Sequence, residues 1–224
     1  MKRVLAAIAI VFSVSALAHA QNPPPASRVF VSAGVFTATT QVSRTEVIQP
    51  FGEIGFPNVS GTTVGGSLGV GGFLAPRWSV RFEYGAEGTR HGSTTFSGPL
   101  GPLTFTRSTQ LDERLKTGSV LLGYHTGSRG VARLGFVAGM VLVHQRQHLL
   151  QQNSIQPPPQ PGPVTPTLEP RTEIVNTELR LGPAVGVDLV LAVWPRFAVV
   201  PEMRVLVFGS NWDFRPGMSV RIGF

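Results

Sequence analysis

The residues from Gly217 to Phe224 alternate without a break. Met218, Val220, Ile222 and Phe224 fall on one face of an extended chain, and Gly217, Ser219, Arg221 and Gly223 on the other. Successive side chains of a strand point to opposite faces, so this is the period of β structure and not of a helix. One face is wholly apolar, and the other carries an arginine among small residues. The run ends the sequence on an aromatic side chain, with no further domain expected after it. A chain that finishes this way needs an apolar environment for one face of its sheet and a polar one for the other.

The amino-terminal segment has a different character. Lys2 and Arg3 form a basic start, Val4 to Leu17 an apolar stretch, and Ala18-His19-Ala20 a small-x-small cleavage site. This reads as a secretory signal peptide over residues 1–20. Residues 21–27, with three consecutive prolines, read as a flexible leader, which leaves 28–224 as a single barrel domain. Nothing else approaches the roughly 18 uninterrupted apolar residues of a membrane helix. With no cysteine, disulfides and thiolate metal sites are excluded. The 26 glycines and 19 prolines, set among short apolar segments, suit many strands joined by turns. The net charge of +7 comes from dispersed arginines, not from a basic run, which speaks against a nucleic-acid partner.

Eight strands are predicted. The first covers 28–37 and the second 61–74, the latter glycine-rich. The third runs from Trp78 to about Arg90, with Trp78, Val80, Phe82 and Tyr84 on one face and Arg81 and Glu83 on the other. The fourth covers 111–125; Leu111 and Leu115 are out of phase with Val120 and Leu122, so a bulge is expected near Thr117 and Gly118. The fifth covers 131–145, the sixth 172–193 with Pro183 inside it, the seventh 197–208, and the eighth is the terminal run. Long loops are expected over 39–60, 91–110 and 149–170, the last too proline-rich for a sheet ladder, and a moderate connection over 209–213. Tight turns are expected at 75–77, 127–130 and 194–196. In an antiparallel meander alternate connections share a rim, so the tight turns lie at one end and the long loops at the other. Trp78, Trp194 and Phe197 then form an aromatic girdle at the tight-turn rim.

Charges within strands fall opposite the apolar stripe: Arg81, Glu83, Arg133, Glu178, Arg180, Asp188, Glu202, Arg204 and Arg221. In a soluble ligand-carrying barrel the polarity is reversed, with apolar residues inside. Here the charge-free face belongs in lipid and the charged face in the lumen, which makes the fold an all-β, eight-stranded, antiparallel up-and-down transmembrane β-barrel. The near balance of sign inside points to a packed charge network, with Gly65, Gly69, Gly135 and Gly139 leaving room for long arginines.

Three features carry a family resemblance. Gly217-x-x-Val220-x-Ile222-x-Phe224 resembles the C-terminal assembly signal of bacterial outer-membrane barrels. Trp78-Ser79-Val80-Arg81-Phe82-Glu83-Tyr84 is similar to the third strand of small OmpA/OmpX-like barrels. The alternation of short and long connections resembles that family over essentially the whole chain after the leader. The resemblance implies the bacterial outer membrane as location after signal-peptide cleavage, with its lipid and lipopolysaccharide as surroundings. It also implies the barrel-assembly machinery as a partner, a monomer, no cofactor, and a ligand of the extracellular loops that it does not name. The function expected is non-enzymatic, either envelope structure or surface interaction through the long loops. The alternatives are a narrow porin-like channel and a lipid-modifying outer-membrane enzyme. For the latter, His91-Gly92-Ser93 is a weak signal with no acidic residue nearby in sequence. His144 and His148 have a metal-ligand spacing only on a helix, so no catalytic or metal site is expected.

Overall fold

The computed structural model describes residues 29–41, 45–48, 52–55, 61–126, 132–157 and 167–224. The signal segment 1–20, the leader 21–27, the turn 127–130 and residues 158–166 of the proline-rich stretch lie outside the described residues. The strands are β1 (Val29–Gln41), β2 (Thr45–Ile48), β3 (Gly52–Gly55), β4 (Gly61–Ala75), β5 (Trp78–Glu87) and β6 (Arg90–Leu100). They continue with β7 (Leu103–His125), β8 (Ala132–Gln156), β9 (Thr167–Leu168), β10 (Thr172–Trp194), β11 (Phe197–Phe208) and β12 (Asn211–Gly223).

Eight of these close a ring. β1, β4, β5, β7, β8, β10, β11 and β12 each pair antiparallel with the next, and β12 returns to β1 from Phe30↔Gly223 to Gln41↔Trp212. Closure leaves the barrel wall without an unpaired edge. The two-residue period then sorts every side chain. Outward positions in the lower wall are apolar or small and carry no charge: Val31 and Val35 on β1, Leu68 and Val70 on β4, Phe82 and Tyr84 on β5, Val120 and Leu122 on β7, Phe136 and Met140 on β8. Leu181 and Val185 on β10, Met203 on β11, and Met218 and Ile222 on β12 complete the belt. The intervening positions point inward and include nearly all the buried charge.

Several expectations need correcting. The stretch 91–110 is not a loop. β6 extends the line of β5 beyond Gly88 and pairs with β7 from Arg90↔Glu113 to Leu100↔Leu103, turning at Gly101. Gly101 has φ +62, the sign that such a two-residue hairpin turn requires at its first position. β8 likewise runs on to Gln156, paired with β7 as far as Thr104↔Gln156. The connection between β11 and β12 is a two-residue turn at Gly209 and Ser210, not a moderate loop, with Gly209 also at φ +62. β2 and β3 form a small hairpin inside the first long connection.

There is no bulge at Thr117-Gly118; β7 pairs with β8 without a register shift. Leu111, Leu115 and Leu121 share one parity and are buried inside the barrel. The register shifts that do occur lie between Phe73 and Ala75 and between Ala192 and Trp194, each leading into one of the tight turns at 76–77 and 195–196. Pro183 sits opposite Met140 of β8, and the ladder to β11 begins one residue later at Ala184↔Leu206. A residue without an N–H is tolerated at that ladder end.

Candidate functional site: the barrel interior and its outer arm

Two charge clusters fill the interior. In the one nearer the tight turns, Arg204 of β11 binds Glu83 of β5 and donates from Nη2 to Glu202 Oε2 at 2.6 Å. Arg81 lies 3.3 Å from Glu202, 3.7 Å from Glu83 and 3.8 Å from Asp188. Arg221 Nη2 donates to Asp188 Oδ2 at 2.6 Å. His125 Nε2 and Ser79 Oγ share a hydrogen bond of 2.9 Å beside them. Three arginines thus face three carboxylates, and sharing of partners offsets the cost of burying each charge.

The second cluster lies towards the other end. Arg215 of β12 donates from Nε to Asp213 Oδ2 at 2.7 Å and from Nη1 to Thr117 Oγ1 at 2.9 Å, and binds Glu87. Arg90 pairs with Glu87 and lies 3.5 Å from Asp213 and 3.7 Å from Glu113. Thr40 Oγ1 donates to Asp213, and the amides of Gln145 and Gln147 donate to Glu113. Leu115, Leu121, Val141, Val143, Ala184, Leu206 and Phe208 add a buried apolar cluster inside the same barrel. The space over the inward glycines of β4 is not taken by arginines: aromatic rings fill it at Gly65 and Gly71, and the Ser32 hydroxyl fills it at Gly69. A Cβ at Gly65 would meet Phe36 at 2.5 Å, and one at Gly71 would meet Phe30 at 2.5 Å. Arg215 and Arg221 instead lie over those rings, 4.8 and 5.1 Å from the centroids of Phe36 and Phe30.

Of the nine expected lumen charges, Arg81, Glu83, Asp188, Glu202, Arg204 and Arg221 come together. Three do not. Glu178 and Arg180 bind each other on β10 beyond the end of its ladder with β11, with side chains 34 % and 27 % exposed, so they are a rim pair outside the network. Arg133 stands at the tight-turn end over the ring of Phe73, 5.9 Å from its centroid. Glu87, Arg90, Glu113, Asp213 and Arg215 were missed. Asp213 and Arg215 continue the parity of Ser219 and Arg221, so carrying the terminal alternation back through Pro216 reaches them. Trp78 packs edge-on against Tyr124 at 5.1 Å, and Trp194 against Phe197 at 5.3 Å, all at the tight-turn rim. Gly217, Val220 and Ile222 lie in the β12 ladder with β1, and Phe224 donates its N–H to the Val29 carbonyl at 2.9 Å.

Beyond the ring, β6, β7, β8 and β10 rise together as a sheet. Here an acidic residue does reach His91: its Nδ1 is 2.7 Å from Asp112 Oδ1 across the β6–β7 rung, in an exposed position. Sequence separation hid that pair, because the rung exists only once 91–110 is seen as a hairpin. His148 binds Glu173 on the neighbouring strands. Among the described residues no group of three His, Cys, Asp or Glu side chains is arranged to hold a metal ion.

No protein-family model matches the chain, and no curated protein matches it in sequence. Solved structures do. The attachment invasion locus protein Ail of Yersinia pestis, in complex with the heparin analogue sucrose octasulfate, is 10 % identical; the match covers 88 % of this chain and 99 % of Ail, with a TM-score of 0.46. The N-terminal β-barrel domain of Pseudomonas aeruginosa OprF is 14 % identical over 89 % of this chain and 100 % of that domain, with a TM-score of 0.44. The outer membrane protease OmpT of Escherichia coli is 12 % identical over 92 % and 99 %, with a TM-score of 0.42. At such identities the likeness is one of fold and carries no activity across. The closed ring, the charge-free outer belt and the charged interior make this chain an eight-stranded antiparallel up-and-down β-barrel, apolar on its outer wall and charged within.

Proposed function

We propose that the protein is a non-enzymatic component of the bacterial outer membrane, serving envelope structure or surface contact through its raised strands. In this reading residues 1–20 are removed on export, the barrel-assembly machinery inserts the chain, and the arm of β6, β7, β8 and β10 faces outward. One observation carries the proposal. The interior is occupied by paired charges and a buried apolar cluster, whereas β7 continues 13 residues beyond Lys116, about 40 Å along the strand, into the arm. An eight-stranded ring has an interior that side chains can fill. The molecule therefore invests its length in what it displays and not in what it passes.

Planar-bilayer recording of the purified protein tests this reading against the channel: little or infrequent conductance is expected. Steady ion-selective openings would replace it. The enzyme alternative is tested by assaying lipid A acylation in cells with and without the protein, where an unchanged pattern is expected. A change abolished by His91→Ala would make the His91–Asp112 pair catalytic and sink the non-enzymatic reading.

A further inference from the structure

We propose that the arm holds a divalent transition-metal ion of the zinc type, bound by His91, Asp112 and His148 on three adjacent strands, with Glu173 on a fourth orienting His148. The site goes beyond the surface role proposed above and does not depend on which way the arm faces. The register makes the set. His91 of β6 pairs with Asp112 of β7, and Asp112 pairs in turn with His148 of β8, so the three stand side by side in one row. Their chain neighbours Arg90, Glu113 and Gln147 form the matching buried row on the opposite face, so these three point away from the lumen. Glu173 of β10 stands one row further along on the same face and binds the His148 ring. Directly opposed residues have Cβ atoms about 5 Å apart. The two histidines, with one strand between them, are about 10 Å apart, and the aspartate stands midway.

The donor types fit. Zinc takes imidazole nitrogen and carboxylate oxygen at about 2.0–2.2 Å, often with three protein ligands and a water in the fourth position. At those lengths two donors on a tetrahedral ion stand about 3.3 Å apart. His91 Nδ1 and Asp112 Oδ1 are already 2.7 Å apart, so an opening of roughly 0.6 Å admits an ion between them. The ring proton of His91 then sits on Nε2. His148 gives Nε2 to Glu173. A carboxylate on one ring nitrogen of a ligating histidine fixes its tautomer and leaves the other, here Nδ1, as the metal donor. In their present rotamers the side chains close two separate pairs and no three converge. What joins the pairs is a turn of the Asp112 and His148 side chains on an unmoved ladder, and side chains that solvent reaches change rotamer within nanoseconds. Arg114 and Arg146 stand one row below on the same face and repel a cation. Asp112 and Glu173 offset them, and at this exposed site water and salt screen the repulsion. His144 lies four residues along β8 from His148, about 13 Å away, and is no part of the set. Calcium and magnesium prefer all-oxygen sites, so the two imidazoles select against them.

The test uses the untagged chain folded in detergent micelles, stripped with a chelator and titrated with zinc chloride in a calorimeter. One ion should bind per chain, and excess calcium should not displace it. His148→Ala and Asp112→Asn should each weaken binding by at least about tenfold, and Glu173→Gln by about tenfold, as the loss of an orienting partner does. His144→Ala should leave the affinity unchanged. Arg146→Gln should tighten binding about twofold to fivefold by removing a nearby cation. Cobalt(II) in place of zinc should give a visible absorption band of tetrahedral intensity, which His91→Ala abolishes. All these substitutions lie on the arm, so each variant should keep its boil-sensitive mobility on gels. Should a histidine variant lose it, the isosteric Asp112→Asn is read alone, and an unchanged affinity there overturns the site. A wild-type chain that takes up no zinc overturns it as well. So does zinc binding that survives His91→Ala/His148→Ala, or that is lost with His144→Ala and kept with His91→Ala.

Discussion

Glu202 accepts from Arg204 and lies 3.3 Å from Arg81, two guanidinium groups whose side chains are nearly out of reach of solvent. Glu202→Ala strands buried positive charge, and the expected loss is about 3–5 kcal/mol of stability, read as a lower urea midpoint for unfolding from micelles. Glu178→Ala breaks a pair that water already reaches, so it should cost no more than about 1 kcal/mol. A second contrast needs no charge. A Cβ at Gly139 would lie 1.9 Å from the Val120 carbonyl oxygen of the next strand, a backbone atom with little room to move, whereas one at Gly118 meets open space. Gly139→Ala should destabilise by roughly 1–3 kcal/mol, and Gly118→Ala should leave the urea midpoint unchanged within about 0.5 kcal/mol. At this scale the sequence was legible wherever polarity and parity agree. Arg81, Glu83, Glu202 and Arg204 alternate cleanly with apolar neighbours. Leu111 and Leu115 misled, because apolar was equated with outward. This barrel buries apolar side chains inside: Leu115 belongs to a leucine–valine cluster there, and Leu111 is buried on the same inward face, so neither marks a bulge.

The strands below the outer rim follow from their two-residue period, and Phe197–Phe208 has the predicted bounds. Their outer extensions were not legible. Residues 91–110 are polar and contain Gly92, Gly98, Pro99, Gly101 and Pro102, a composition of loops. They are strands because β7 and β8 template them rung by rung, a long-range cause that local composition does not register. The arm adds no rung to the closed ring. Excising residues 95–108, so that Thr94 and Thr109, partners in one rung, are joined by a two-residue Asn-Gly turn, should leave the barrel intact. The shortened protein should still migrate differently on gels before and after boiling. Loss of that shift would show that the arm helps to hold β5 and β7 together.

For the molecule as a whole, the ring and the terminal strand make separable demands. The seam between β1 and β12 is a ladder of ten paired positions, and Phe224 adds one N–H···O bond to Val29 and a ring that is 69 % exposed. Removing Phe224 therefore deletes a single hydrogen bond at the end of a long seam, worth about 0.5–1.5 kcal/mol net. Its ring faces outward, so the interior charge clusters and the apolar cluster are untouched. If the residue mattered only for stability, the truncated chain would be slightly weaker everywhere. If it also forms part of an assembly signal, the loss should depend on the route. Refolded from urea into vesicles, the Phe224 deletion should regain the boil-sensitive mobility of wild type with a nearly unchanged midpoint. Expressed in cells, it should reach the surface at a small fraction of the wild-type level. Equal surface levels would remove Phe224 from the signal, and failure in vesicles as well would make the terminus a structural element of the seam.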